Sequence, residues 1–200
     1  MRRGPLLVVG LALTVLAVAL LTWVTQRGGE SAQALPGTGT SSPSPSSSAS
    51  AGTAADVRLR IPAIGLDHET SGGGLTAKGT IDPEPGTLMW FQGLDRVQPG
   101  RMGTAVIAGH VATGDRPDVL AELAEVEVGD DVQVVEDGRT IPYRVTRAGP
   151  IDKVEVTTDE AVWGVNTSRP RLAIITCDDA FGFRGDGHRR ANFVVIAEPA

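Results

Sequence analysis

The chain has 200 residues, of which 41% are hydrophobic and 21% charged, with a formal net charge of −6 and a single cysteine. So acidic a chain lacks the clustered basic surface that phosphate contacts need, which argues against nucleic acid as a partner. One cysteine cannot build a disulfide framework, and with three lone histidines it forms no metal-ligand spacing, so no metal or other cofactor is expected.

Leu6 to Thr25 carries no charge, and at about 1.5 Å per residue a helix of this length crosses a bilayer. Arg2 and Arg3 precede it, which predicts a cytoplasmic N-terminus with everything after Thr25 outside the cell membrane, and Trp23 stands where an interfacial aromatic would. The length of the run favours a retained anchor over a cleaved signal peptide, for which Ala32-Gln33-Ala34 would be the small-x-small site. Residues 1–25 therefore read as a cytoplasmic start and transmembrane anchor. Residues 26–55 are dominated by Ser, Pro, Gly, Thr and Ala, too poor in apolar groups to offset the entropy of ordering, and read as a flexible linker. Residues 56–200 suffice for one packed core. With Arg2, Arg3, Arg27 and Glu30 set aside, that domain keeps 15 basic and 23 acidic residues, a net charge of −8.

Within the domain the apolar runs are short and rich in β-branched residues. Val57 to Ile61 alternates apolar and basic residues as a half-buried strand does. Further strands are predicted in "GTAVIAGHV", "DDVQVVE", "TIPYRVTRAG", "RLAIITC" and "ANFVVIAEP", separated by Gly, Asp, Asn or Pro turns. A short helix is predicted in "RPDVLAELAEV", starting at Pro117 or Asp118 and ending before Gly129. The pattern is all-β, a barrel or sandwich.

Cys177 ends the apolar run Leu172 to Thr176, so the scaffold holds it where it can face a groove. A cysteine nucleophile needs a base or a cation nearby, because the thiolate is the reactive form. His110 ends a second buried strand, "TAVIAGH", and shares that strand-edge placement. His68, in the polar turn "GLDHET", and His188, in "GDGHRR", read as solvated. Acyl transfer also needs a donor for the oxyanion. Arg189 and Arg190 precede the last strand, and if it pairs antiparallel with the cysteine strand, an arginine lies opposite Cys177. Two charged turn residues are the alternative.

"TAVIAGHV", "LAIITC" and the closing "R-x-N-x-VV" together resemble a sortase, most closely the class F group of actinobacteria, over Val57 to Ala197. The resemblance implies an eight-stranded β-barrel with short helices. It further implies that Cys177 is the nucleophile, His110 the acid and base, Arg190 the cation at the oxyanion or substrate backbone, and Thr176 a substrate contact. The implied activity is transpeptidation in a Gram-positive cell wall: cleavage of Leu-Pro-x-Thr-Gly-like sorting signals between Thr and Gly through a thioester, with transfer to a cell-wall peptide or other amine. Class F members carry small residues after the cysteine, whereas here Asp178 and Asp179 follow it. Carboxylates pointing inward would disfavour a thiolate. The alternatives are accordingly a silent peptide-binding module on the same fold, or a hydrolase using water as acceptor.

The linker itself holds the pattern, as Leu35-Pro36-Gly37-Thr38-Gly39. A sorting signal precedes an apolar helix, while this one follows it, so the chain does not read as an anchored substrate. An unprocessed linker is the expectation, with self-cleavage the alternative. The residues between Thr38 and Asp56 span about 23 Å as a flexible coil, on the scale of a small domain's radius.

Overall fold

Alternation decides which residues fill the interior. Val57, Leu59 and Ile61 are buried while Arg58 and Arg60 between them are partly exposed, the pattern of a strand with one face inward. The computed structural model describes residues 57–200, and the predicted anchor and linker lie outside the described residues. In chain order the elements are β1 (Val57–Ile61), β2 (Leu66–Gly73), β3 (Leu88–Phe91), β4 (Gly103–Gly109), β5 (Ala112–Thr113), β6 (Arg116–Pro117), β7 (Asp131–Glu136), β8 (Arg139–Asp152), α1 (Lys153–Val156), α2 (Glu160–Trp163), β9 (Pro170–Phe183) and β10 (Arg189–Pro199). Eight strands close into a barrel in the order β1-β2-β3-β4-β9-β10-β8-β7, and β5 pairs with β6 in a small separate hairpin. The eight-stranded all-β barrel is the fold expected. No helix among the described residues is long and apolar enough to cross a membrane.

Two apolar clusters lie on opposite faces of the sheet. The barrel interior holds Leu59, Ile107, Leu172, Ile174, Phe193 and Val195, plugged by Leu120, Leu123 and Val126. The outer cluster joins Val106 of β4, Ala173 and Ile175 of β9, and Val194 and Ile196 of β10 to Val156 and Val162 of the two helical turns. Trp163 meets Phe91 edge-on beneath them, with centroids 6.1 Å apart.

Two expectations are corrected. The predicted helix over residues 116–126 is the strand β6, turns and a single 3-10 turn at Leu123–Glu125. Its buried residues recur every third position, at 120, 123 and 126, which suits the three-residue turn of a 3-10 helix and not the 3.6 of an α-helix. The polar stretch around His68 is the strand β2, in which His68 is half-buried opposite Leu59 and not in a turn. Helical turns stand instead after Asp152 and Asp159, whose side chains accept from the N–H groups of Val154 and Ala161 and cap them.

Candidate active site

β4 and β9 run parallel, with Ala108 beside Ile175 the last pair of the seam. One residue on, the Thr176 hydroxyl donates to the Gly109 carbonyl (2.9 Å), extending the seam. The same register carried one step further reaches His110, just past the end of β4, and Cys177 of β9. Cys177 continues the outward face that carries Ala173 and Ile175 lower down, since side chains alternate. Thr176, pointing the other way, is buried at 4% exposure and serves the seam. Gly109 is required for close approach: a Cβ there would stand 2.8 Å from Leu88 Cδ2 and 2.9 Å from Leu120 Cδ1.

Cys177 marks where burial stops, not where the strand ends, because β9 runs on to Phe183. Its thiol is free and half-buried. The residue opposite it on β10 is Asn192, and Ile151 of β8 lies opposite Asn192 in turn. The expectation of an arginine opposite the cysteine is therefore corrected. The β9–β10 register shifts between Arg189 and Ala191, so Arg190 sits in an irregularity two residues beyond Asn192. Arg190 is exposed, while Arg189 is half-buried with its guanidinium 5.7 Å from the centre of the Phe183 ring. Asn192 Oδ1 is enclosed without a hydrogen-bond partner.

His110 is 27% exposed, and its Nε2 lies 2.7 Å from the Pro83 carbonyl and 3.8 Å from Asp82 Oδ1. A carbonyl only accepts, so Nε2 carries a proton; Nδ1 accepts in the neutral ring and donates in the imidazolium. The loop that supplies Pro83 is tied down by Asp118, whose carboxylate accepts from Gly86 N (2.9 Å), Val119 N (2.6 Å) and the Thr113 hydroxyl. Burial pushes the Asp118 carboxyl up, but those hydrogen bonds, with His110 nearby, outweigh it and hold it below the usual carboxylate range. Asp118 thus braces the loop against which the imidazole rests.

The cysteine's own polar contact is a residue that sequence reasoning missed. Lys153 Nζ donates to Cys177 Sγ at 3.4 Å, reaching across from the start of α1. Nothing in the sequence joins positions 24 residues apart; only the β8-β10-β9 order does. Asp178 accepts from Ala180 N (2.8 Å) and Asp179 is exposed, and among the described residues neither is hydrogen-bonded to the cysteine. His68 lies three strands from β9, and His188 is exposed in the β9–β10 turn, so neither joins the cluster. No cluster of metal-ligating side chains occurs among the described residues.

A family model described as the sortase domain matches residues 59–200. Solved structures share the barrel. Sortase A of Listeria monocytogenes is 22% identical with a TM-score of 0.53, covering 74% of this chain and 88% of that one. A Clostridium perfringens sortase D5 transpeptidase is 18% identical (TM-score 0.52; 73% and 79% covered), and sortase C-1 of Actinomyces oris is 18% identical (0.53; 72% and 73%). No curated protein matches the sequence.

Proposed function

The chain belongs to the sortase family of cysteine transpeptidases, and on that premise we propose that it cleaves Leu-Pro-x-Thr-Gly-like signals between Thr and Gly and transfers the acyl group to a cell-wall amine. The observation that supports this reading is the parallel β4–β9 seam, whose register leads to His110 at the end of one strand and to Cys177 on the other. Cys177 attacks the Thr carbonyl, and the tetrahedral intermediate collapses to a thioester as the Gly amine leaves with a proton from His110. The acceptor amine then attacks, returns a proton to the imidazole and expels the sulfur. With Nε2 held by Pro83, the nitrogen that exchanges protons is Nδ1. Arg190, exposed at the register shift, supplies positive charge to the oxyanion or the substrate backbone. Thr176 contributes by fixing the Cys177 backbone.

The closing R-x-N pattern supports a class F assignment. The uncharged Leu6 to Thr25 run, preceded by two arginines, supports a single membrane anchor with a cytoplasmic N-terminus, followed by the linker of residues 26–55 and an extracellular catalytic domain. Incubation of the full chain in detergent with a Leu-Pro-x-Thr-Gly peptide and an amine tests the activity by mass spectrometry. The expected product is the Thr-amine adduct, absent with Cys177→Ala. Turnover that persists unchanged without amine would identify a hydrolase, and no product or thioester across several signal sequences would leave a peptide-binding module.

A further inference from the structure

A thiolate requires a positive charge close by, and the expected source in a cysteine–histidine pair is the imidazole. Here the arrangement differs. His110 has Nε2 on the Pro83 carbonyl and makes no hydrogen bond to the cysteine among the described residues, whereas the Lys153 ammonium lies 3.4 Å from Sγ. We propose that Lys153 is the ionic partner of Cys177, its ammonium holding the sulfur as a thiolate in the resting enzyme; the proposal rests on Cys177 being the nucleophile.

The surroundings leave Lys153 available for this. Asp152, its neighbour, turns its carboxylate onto Val154 N at 2.7 Å, and Glu155 is exposed. Among the described residues no carboxylate forms an ion pair with Lys153. From β9, Asp178 is engaged with Ala180 N and Asp179 is exposed; from β10, Arg190 is exposed. The reach is set by the sheet: Ile151, Asn192 and Cys177 form one row across β8, β10 and β9, and Lys153 follows two residues after Ile151. Residue choice points the same way. Of 18 basic residues only Lys78 and Lys153 are lysines. A planar guanidinium suits paired oxygens, while an ammonium is a compact charge with rotating donors that fits a single sulfur.

The chemistry balances without further reagents. The thiol proton passes to solvent, leaving a neutral ammonium–thiolate pair. Formation of the carbon–sulfur bond removes the sulfur's charge and leaves the ammonium unpaired in the acyl-enzyme. When an amine attacks the thioester, the departing sulfur regains its partner. His110 is thereby reserved for the leaving and entering amines.

The test compares alkylation of Cys177 by iodoacetamide, from pH 5 to 10, in the full-length wild type, Lys153→Met and Lys153→Arg, with melting curves for folding. We expect Lys153→Met to react about tenfold more slowly at pH 7 and to rejoin the wild-type rate at the alkaline plateau, with Lys153→Arg between them. Superimposable profiles would overturn the proposal. Should the variants melt early, thiolate absorbance at 240 nm in the wild type, with Cys177→Ala as the blank, decides alone: no thiolate at pH 7 overturns it. Alkylation needs no peptide, so the outcomes separate. Peptide transfer with unchanged Lys153→Met alkylation would reject the ion pair and keep the transpeptidase, while slowed alkylation without any peptide transfer would keep the ion pair and reject the transpeptidase.

Discussion

The β4–β9 seam and the far end of the β9–β10 hairpin hold their candidate residues in different ways. At the seam, Ala105, Val106 and Ile107 of β4 pair in unbroken register with Leu172, Ala173 and Ile174 of β9, all buried, so His110 and Cys177 inherit their positions from the sheet. At the hairpin the register shifts, Phe181 and Phe183 are exposed, and Arg190 stands free of the ladder. Groups that exchange bonds and protons need fixed separation, while a group that steadies charge on a bound peptide can close upon it. The scaffold therefore confers rigidity unevenly across the site.

The largest effect should come from the loose side. Arg190→Ala is expected to lower kcat/KM for a sorting peptide by about 10²–10³, the usual range for losing one oxyanion donor, with the melting temperature unchanged. Steady-state kinetics beside a thermal melt measures both, and a stability loss without a rate loss would place Arg190 on the structural side of the contrast. On the rigid side, Gly109→Ala forces a Cβ against Leu88 and Leu120 and should cost about 1–3 kcal/mol by overpacking. An unchanged melt would mean that the seam yields where the contrast needs it firm. The smallest effect concerns the brace between the two regimes. The Asp118 carboxyl is held below its ordinary value, so its contribution is fully present above the unfolded value of about 3.9 and is lost as pH falls through the lower folded value. Asp118→Asn should therefore cost about 1 kcal/mol at neutral pH, with the gap to wild type closing in urea melts as pH falls below the ordinary carboxylate range. A gap that stays constant with pH would assign the loss to shape and not to charge.

Much of this was legible in the sequence where burial is one-sided or continuous. β1 alternates, and β4, β9 and β10 are apolar runs bounded by turns, so Cys177 and His110 could be recognised as residues where such runs give out. β2 was not legible, because Leu66 to Gly73 spends polar residues on a strand whose inward positions are only half-buried. The four-residue β3 is too short to show a period. The arginine opposite Cys177 was misplaced because a register shift leaves no mark in residue types, and Asn192 takes that position. Lys153 was invisible because it depends on the neighbours that β10 acquires on both sides. The two helical turns were the avoidable miss, since Asp152 and Asp159 are ordinary N-cap residues.

The parallel seam also governs when the site can first exist. Gly109 and Thr176, which join its end, are 67 residues apart in the chain, and parallel partners cannot meet through a tight turn. The antiparallel hairpins β7–β8 and β9–β10 close short loops, whereas the seam carries the entropic cost of a long one and belongs among the slow, non-local steps of folding. A nascent chain thus holds its thiol in one hairpin and its imidazole elsewhere. Barrel closure is then a timing device: the strand ends that carry the two reactive groups meet only when the fold that confines them is complete.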